Sequence, residues 1–363
     1  MSDERLTSAL QRLDADGLIS ADPGIVRMLT GHSYDIETGP NVFALPAIVV
    51  ASGSSAPVLV CSADEAQESA NTIAYEGFTV GPIERVAGAR RSVAEAVDRS
   101  GGNGIRWMVD GSSVPVGALP ALSYSSPSVG VLAEMTAIKT IDEIDDIRAA
   151  IALCDAGQAA AREAALESAS ELDVWQHVRA AMESQAGGRI PVIADLVSGP
   201  RSAEVGGPPS TRSIGRGDLV LVDLVPRLAG VWGDSCSTFV DAEPTDEQRR
   251  AHLAARSALE AGLEMLRPGV RSADVDAAVR AVMGDDGWDY PHHTGHGLGF
   301  AWHEEPRIVA SSETVLAPGM VVALEPGTYA ENWGLRVEQI AVVTDSGPRV
   351  LSGHSLALER VSG

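Results

Sequence analysis

PHHTGHGLGFAWHEEP, residues 291–306, holds four of the chain's eight histidines, His292, His293, His296 and His303, set among glycines and followed by Glu304 and Glu305. Histidine titrates near neutrality and its neutral ring ligates metals, so a dense run beside acids suggests a metal site or a proton-transfer site. Glycine backbone allows close approach of a ligand or metal. Read alone, the run fits a Gly/His surface turn equally well. Carboxylates elsewhere have to complete it.

Working outward, apolar strands carry such carboxylates. Downstream, MVVALEPGTYA holds Glu325 and GLRVEQIAVVT holds Glu338; upstream, GDLVLVDLVPR holds Asp223 and LAGVWGDSCSTFV holds Asp234, eleven residues later. A hairpin-like return would bring the two aspartates together, where they repel unless a cation or proton lies between them. A buried, unpaired carboxylate is costly, so each acid needs a partner. Four acids plus His296 form an oxygen-rich five-ligand set. It suits two divalent ions (Mn²⁺, Co²⁺, Fe²⁺ or Zn²⁺) better than a thiolate-type structural zinc. Paired ions about 3.5–4 Å apart lower the pKa of a shared water and polarise a carbonyl, so the implied reaction is hydrolysis.

The bulk numbers bound the reading. With 363 residues and 45% hydrophobic content, two domains with separate cores are expected. A net charge of -23 disfavours nucleic acid and anionic membrane as partners. Cys61, Cys154 and Cys236 form neither a disulfide framework nor a CxxC motif. No run reaches the ~18 apolar residues of a membrane span, and the charged N-terminus has no apolar leader, so the expected compartment is the cytoplasm.

Residues 1–130 alternate helices and strands as an α/β domain. A helix is expected over SDERLTSALQRLDADG, with Leu6, Leu10 and Leu13 on one stripe and Gly17 at its end. Strands are expected in NVFALPAIVVA, APVLVCSA and GIRWMVDG, a turn-rich stretch in LTGHSYDIETGP, and a loop role for His32. The second domain, 131–363, opens on a long helix with a Thr140/Glu143 capping box; a second box, Thr245/Gln248, starts another helix. Mixed helices and antiparallel strands make this part α+β.

The order of these residues resembles that of the pita-bread metallopeptidases: methionine aminopeptidase, aminopeptidase P and prolidase, with creatinase as a relative. Asp223, Asp234, GHGLG at 295–299, EPGTY at 325–329 and Arg336-Val337-Glu338 match the family's motifs in sequence. The N-terminal part, around RMLTG, resembles the creatinase/prolidase N-terminal domain. The resemblance implies a pita-bread catalytic domain (the creatinase/aminopeptidase-like fold) with Asp223, Asp234, His296, Glu325 and Glu338 as ligands of two divalent ions. It also implies proton relay by Glu325, substrate contacts by His292 and His303, and support of the ligands by Tyr329 and Arg336. His293 has no such role and reads as structural.

Three departures surround the first two ligands. Gly206, in SGPRSAEVGGPPS, stands where the family has a histidine; Asp223-Leu224-Val225 replaces an aspartate-x-glycine; and DSCST replaces aspartate-x-Thr-Arg-Thr. Loss of one donor to the transition state typically costs around 10²–10³ in rate. Cys236 reads as a small buried strand residue. Creatinase works without metal through that histidine, so creatine hydrolysis does not fit. The expectation is a dinuclear-metal Xaa-Pro dipeptidase or aminopeptidase, loaded with manganese before cobalt, zinc or iron, and a homodimer by analogy. The alternatives are an amidohydrolase acting on a small non-peptide amide, or a binding protein of the same fold.

Overall fold

The computed structural model describes residues 4–33, 44–66, 71–77, 85–126, 129–166 and 168–359. The chain divides into two compact units, Met1–Thr136 and Ala137–Gly363. Most of the turn-rich stretch expected before residue 44 lies outside the described residues.

In the first unit come α1 (Glu4–Arg12), β1 (Gly17–Ser20), α2 (Pro23–Thr30), β2 (Ile48–Ser52), β3 (Ser55–Ser62) and β4 (Thr72–Tyr75). They are followed by α3 (Arg85–Arg99), β5 (Trp107–Val109), β6 (Tyr124–Ser125) and α4 (Val129–Ala137). One mixed sheet runs β4-β3-β2-β1-β5-β6. Ala89, Val93, Ala96 and Val97 of α3 cover one face, and Leu6 and Leu10 of α1 with Ile25 and Val26 of α2 cover the other. Strands covered on both faces read as continuous apolar runs, as IVVAS in β2 does. The first helix stops at Arg12, earlier than expected: Asp14 adopts a left-handed φ of 49°, and Gly17 opens β1. His32 is a buried residue after α2, and neither ring nitrogen has a hydrogen-bond partner.

The second unit begins with α5 (Ile141–Ala164), α6 (Glu171–Ala186), β7 (Val192–Ser198), β8 (Leu219–Leu228), β9 (Val231–Trp232) and β10 (Cys236–Val240). It continues with α7 (Asp246–Met265), α8 (Ser272–Asp285), β11 (Gly295–Gly297), β12 (Glu304–Ile308), β13 (Val321–Leu324), β14 (Gly327–Tyr329), β15 (Gly334–Arg336), β16 (Gln339–Thr344) and β17 (Gly347–Val350). The Thr140/Glu143 and Thr245/Gln248 capping boxes form as expected, satisfying backbone N–H groups that a helix start leaves open. Two antiparallel sheets carry the unit, β10-β8-β7 and β12-β11-β13-β16-β17. Helices α5 and α6 pack on the first through Leu153, Val174, Val178 and Met182; α7 and α8 pack on the second through Ala255, Leu259, Val275 and Val279.

The acids do not sit where alternation placed them. Only Asp223 lies within a ladder, in the middle of β8. Asp234 falls between β9 and β10, Glu325 between β13 and β14, and Glu338 between β15 and β16. At these three acids the expected strand is broken. Leaving the ladder frees that residue from the up-down alternation of a strand, so its side chain can turn toward the others.

Candidate metal centre

The glycines of GHGLG serve a different purpose from the one the sequence suggested. A Cβ at Gly295 would overlap Ala323 O, and one at Gly297 would overlap Glu305 O. Side chains there would push β11 off its neighbours β13 and β12. The glycines therefore let strands close around His296.

His296 itself is 1% exposed. Its Nδ1 lies 2.9 Å from Gly297 O, and because a carbonyl only accepts, the proton is on Nδ1. The Nε2 lone pair then points at Glu325 Oε1, 3.4 Å away, and Asp234 Oδ2, 3.6 Å away. Donor atoms of Asp234, His296 and Glu338 all lie within 4.8 Å of one another. A lone pair facing carboxylate oxygens is repulsive unless a cation stands among them. Glu338 Oε1 is moreover buried without a hydrogen-bond partner. The donor set thus fits a divalent ion, with a backbone carbonyl fixing the histidine tautomer as metal-ligating histidines require.

The electrostatics point the same way. Burial and the surrounding acids push Asp223 up to about 6, while Arg336 opposes the rise. Burial and neighbouring carboxylates lift Asp234 and Glu338 well above the usual carboxylate range. For Glu325 burial acts upward too, but His293, His296 and Arg336 hold it below that range. Burial lowers His296 and His292 to about 4 and His303 to about 3. All three rings are neutral at pH 7, the state in which imidazole ligates metal or donates a single N–H.

Asp223 is turned toward Arg336, whose Nη2 donates to Asp223 Oδ2 at 2.5 Å. Arg336 Nη1 also donates to Tyr329 Oη and to Val205 O, both at 2.9 Å. Tyr329 Oη is 3.0 Å from His292 Nε2, and His292 Nδ1 is 2.7 Å from His293 O, so Nδ1–H donates and Nε2 accepts from the tyrosine. Both nitrogens of His292 are engaged within the protein. His303, half-buried with its ring centroid 3.9 Å from that of His296, has no hydrogen-bond partner among the described residues.

His293, read from sequence as structural, is part of the cluster. Arg307 Nη2 lies 3.0 Å from its Nδ1. A guanidinium only donates, so Nδ1 accepts and Nε2 carries the proton, 2.8 Å from Glu325 Oε1. Although His293, His296 and His303 have nitrogens within 4.8 Å of one another, a protonated Nε2 offers no lone pair, and His293 is better placed to hold Glu325 than to bind metal. Only its adjacency to His292 hinted at this. Lys139, the single lysine, was also missed: it is buried and paired with Glu304, and its Nζ donates to Ala137 O at 3.1 Å.

The loop from Ser198 to Ser210, which carries Gly206, is pinned by fully buried Glu171. That carboxylate accepts from Ser198 N and Oγ at 2.8 Å, from Ser210 N and Oγ at 3.0 and 2.7 Å, and from Arg201. Val205 is held at φ 76°, ψ −43°, strained for a β-branched residue, and its carbonyl accepts from Arg336. Cys236 is buried, and burial raises its thiol well above the usual value; it sits opposite Asp223 as an inert strand residue.

A cage of acids, three of them at breaks between strands, around one histidine, in a unit of antiparallel sheets backed by helix pairs, defines the class as a metal-dependent enzyme fold. Residues 145–345 match the model of metallopeptidase family M24, more than half the chain, and the chain belongs to that family. A protein of Mycobacterium tuberculosis named "Probable dipeptidase PepE" is 34% identical over 236 residues, 64% of this chain and 61% of that one. The Xaa-Pro dipeptidase of Pyrococcus furiosus is 33% identical over 225 residues, 61% and 65% of the two chains. The match thus spans under two thirds of each of these relatives. The structure of the Xaa-Pro dipeptidase from Bacillus anthracis superposes with a TM-score of 0.82 over 98% of both chains at 23% identity, which fixes the pita-bread fold of the prolidase type. Family membership also implies divalent metal ions. Among the described residues no helix is long and apolar enough to cross a membrane.

Proposed function

We propose that this chain is a two-metal peptidase that cleaves the bond before proline in Xaa-Pro dipeptides or at Xaa-Pro N-termini. The observation that carries the reading is the unprotonated Nε2 of His296 facing Asp234 and Glu325. Asp223, Asp234, His296, Glu325 and Glu338 would hold the ions, with manganese preferred on the oxygen-rich donor set. Bound there, two divalent ions supply Lewis acidity toward a carbonyl and acidify water.

The chain's own groups do the rest. Glu325, steadied by His293, takes a proton from the attacking water and returns it to the leaving nitrogen. Neutral His303 donates its N–H to the developing oxyanion. Arg336 orients Asp223, and Tyr329 links Arg336 to His292, which lines the substrate side. A homodimer in the cytoplasm accompanies this reading. Its test is metal-stripped protein reloaded with Mn²⁺ or Co²⁺ and assayed on Xaa-Pro dipeptides, longer Xaa-Pro peptides and small amides. Turnover of proline substrates is expected; failure on all of them rejects the proposal, and turnover of small amides alone would replace it with an amidohydrolase. Sedimentation at micromolar concentration checks the dimer.

A further inference from the structure

Asp195 has no place in the ligand set, yet the fold brings it to the centre. It lies on β7 directly opposite Asp223 on β8, so the two side chains share a face of the sheet. Its charge contributes to raising Asp223. Its side chain makes no hydrogen bond or ion pair with the described residues, and it is only half-buried, so it can meet a ligand.

Gly206 explains its position. A Cβ built at Gly206 would overlap Asp195 Oδ2 and sit against its Cγ. The carboxylate therefore occupies the space that any side chain at 206 would need. The strained Val205 and the network around Glu171 hold the loop there, so the arrangement is built rather than incidental. Glu338 Oε1 and Arg336 Nε, buried and without hydrogen-bond partners, mark the adjoining space as one that a ligand completes.

An acceptor-only group on the wall of such a site favours a donor that carries positive charge. From this we infer that Asp195 is a specificity-determining residue that selects substrates with a cationic nitrogen near the scissile carbonyl. The nitrogen is either the α-ammonium of a free N-terminus or a basic side chain on the residue before proline. This rests on the peptidase reading. A charge-assisted hydrogen bond in a partly buried site corresponds to about 10–100-fold in affinity.

The test compares Mn²⁺-loaded wild type with Asp195→Asn and Asp195→Ser on Arg-Pro, Leu-Pro and their N-acetyl forms. Wild type is expected to favour the charged member of a pair, Arg-Pro over Leu-Pro or free over acetylated N-terminus, by at least about tenfold in kcat/KM. The difference should lie in KM, and the ratio should fall to about one in both variants. Acetylation arms tell the two cation sources apart. Metal content of each variant, measured in parallel, should match wild type; a loss of metal would make Asp195 a ligand and overturn the inference.

A second arm works without turnover: thermal shift of the Mn²⁺-loaded protein by arginine, arginine N-acetylated at its α-amine, and norleucine. Here wild type should discriminate and the variants should not. Absence of proline-peptide turnover with retained, Asp195-dependent discrimination in the shift would remove the peptidase reading and keep the inference. Equal ratios in wild type and both variants, in either arm, would overturn it.

Discussion

The two sheets of the second unit meet the centre in different ways. From the five-stranded sheet, β11 and the breaks after β13 and before β16 bring His296, Glu325 and Glu338, with GHGLG, EPGTY and RVE all intact. From the smaller sheet come Asp223 and, past its broken return strand, Asp234; around them the neighbouring residues are changed, with Asp195 and Gly206 facing each other and Val205 strained. One side is a donor cage whose side chains have few alternatives. The other is a wall where a glycine makes room for a carboxylate. Metal chemistry limits the first to a few residue types, while substrate recognition leaves the second free to vary.

Removing a ligand from the intact side should have the largest effect. Glu338→Gln is expected to lower metal content and cut kcat by about 10³-fold, equivalent to several kcal/mol of lost charge stabilisation. The same change should raise the melting temperature of EDTA-stripped protein, because it relieves repulsion among buried carboxylates. Scanning calorimetry with and without metal reads both signs. A stripped variant less stable than stripped wild type would refute the cation-held cage.

Next in size is the buried pair behind the histidine stretch. Lys139→Ala leaves Glu304 buried without its ammonium and should destabilise the unit by roughly 3–5 kcal/mol, read from urea midpoints. Restoration by Glu304→Ala would show that the pair, rather than lysine alone, sets the cost.

His252 lies outside both regions and calibrates them. Burial lowers it to about 4, against partial support from Leu356 O, which is 2.9 Å from its Nε2. A histidine kept neutral in the fold and free to charge when unfolded gives stability that is complete above about 6.5. That stability is lost as pH falls toward 4, roughly 3 kcal/mol in all. His252→Gln should flatten the fall in stability between pH 7 and 5; an unchanged slope would assign it elsewhere.

The smallest effect expected is at the rebuilt wall. Gly206→His alone should lower stability by up to about 1 kcal/mol, the cost of turning the half-buried Asp195 carboxylate aside, and not raise activity. Combined with Asp195→Ala it should regain stability. A single variant as stable as wild type would mean that the two sides differ less than the geometry says.

The sequence by itself determined what short-range physics and motif order can carry. Thr140 and Thr245 cap helices because the partner lies three residues ahead, and the five candidate ligands were legible because their residue types and order are unusual in apolar strands. Tertiary structure alone decided where each strand breaks and which way each acid turns. It also decided that Asp195 stands opposite Asp223, 28 residues away, that Lys139 neutralises Glu304 across 165 residues, and that His293 Nε2–H faces the Glu325 carboxylate. Those contacts depend on register between distant strands and on the cost of leaving buried charge unpaired, neither of which has a local signature in the chain.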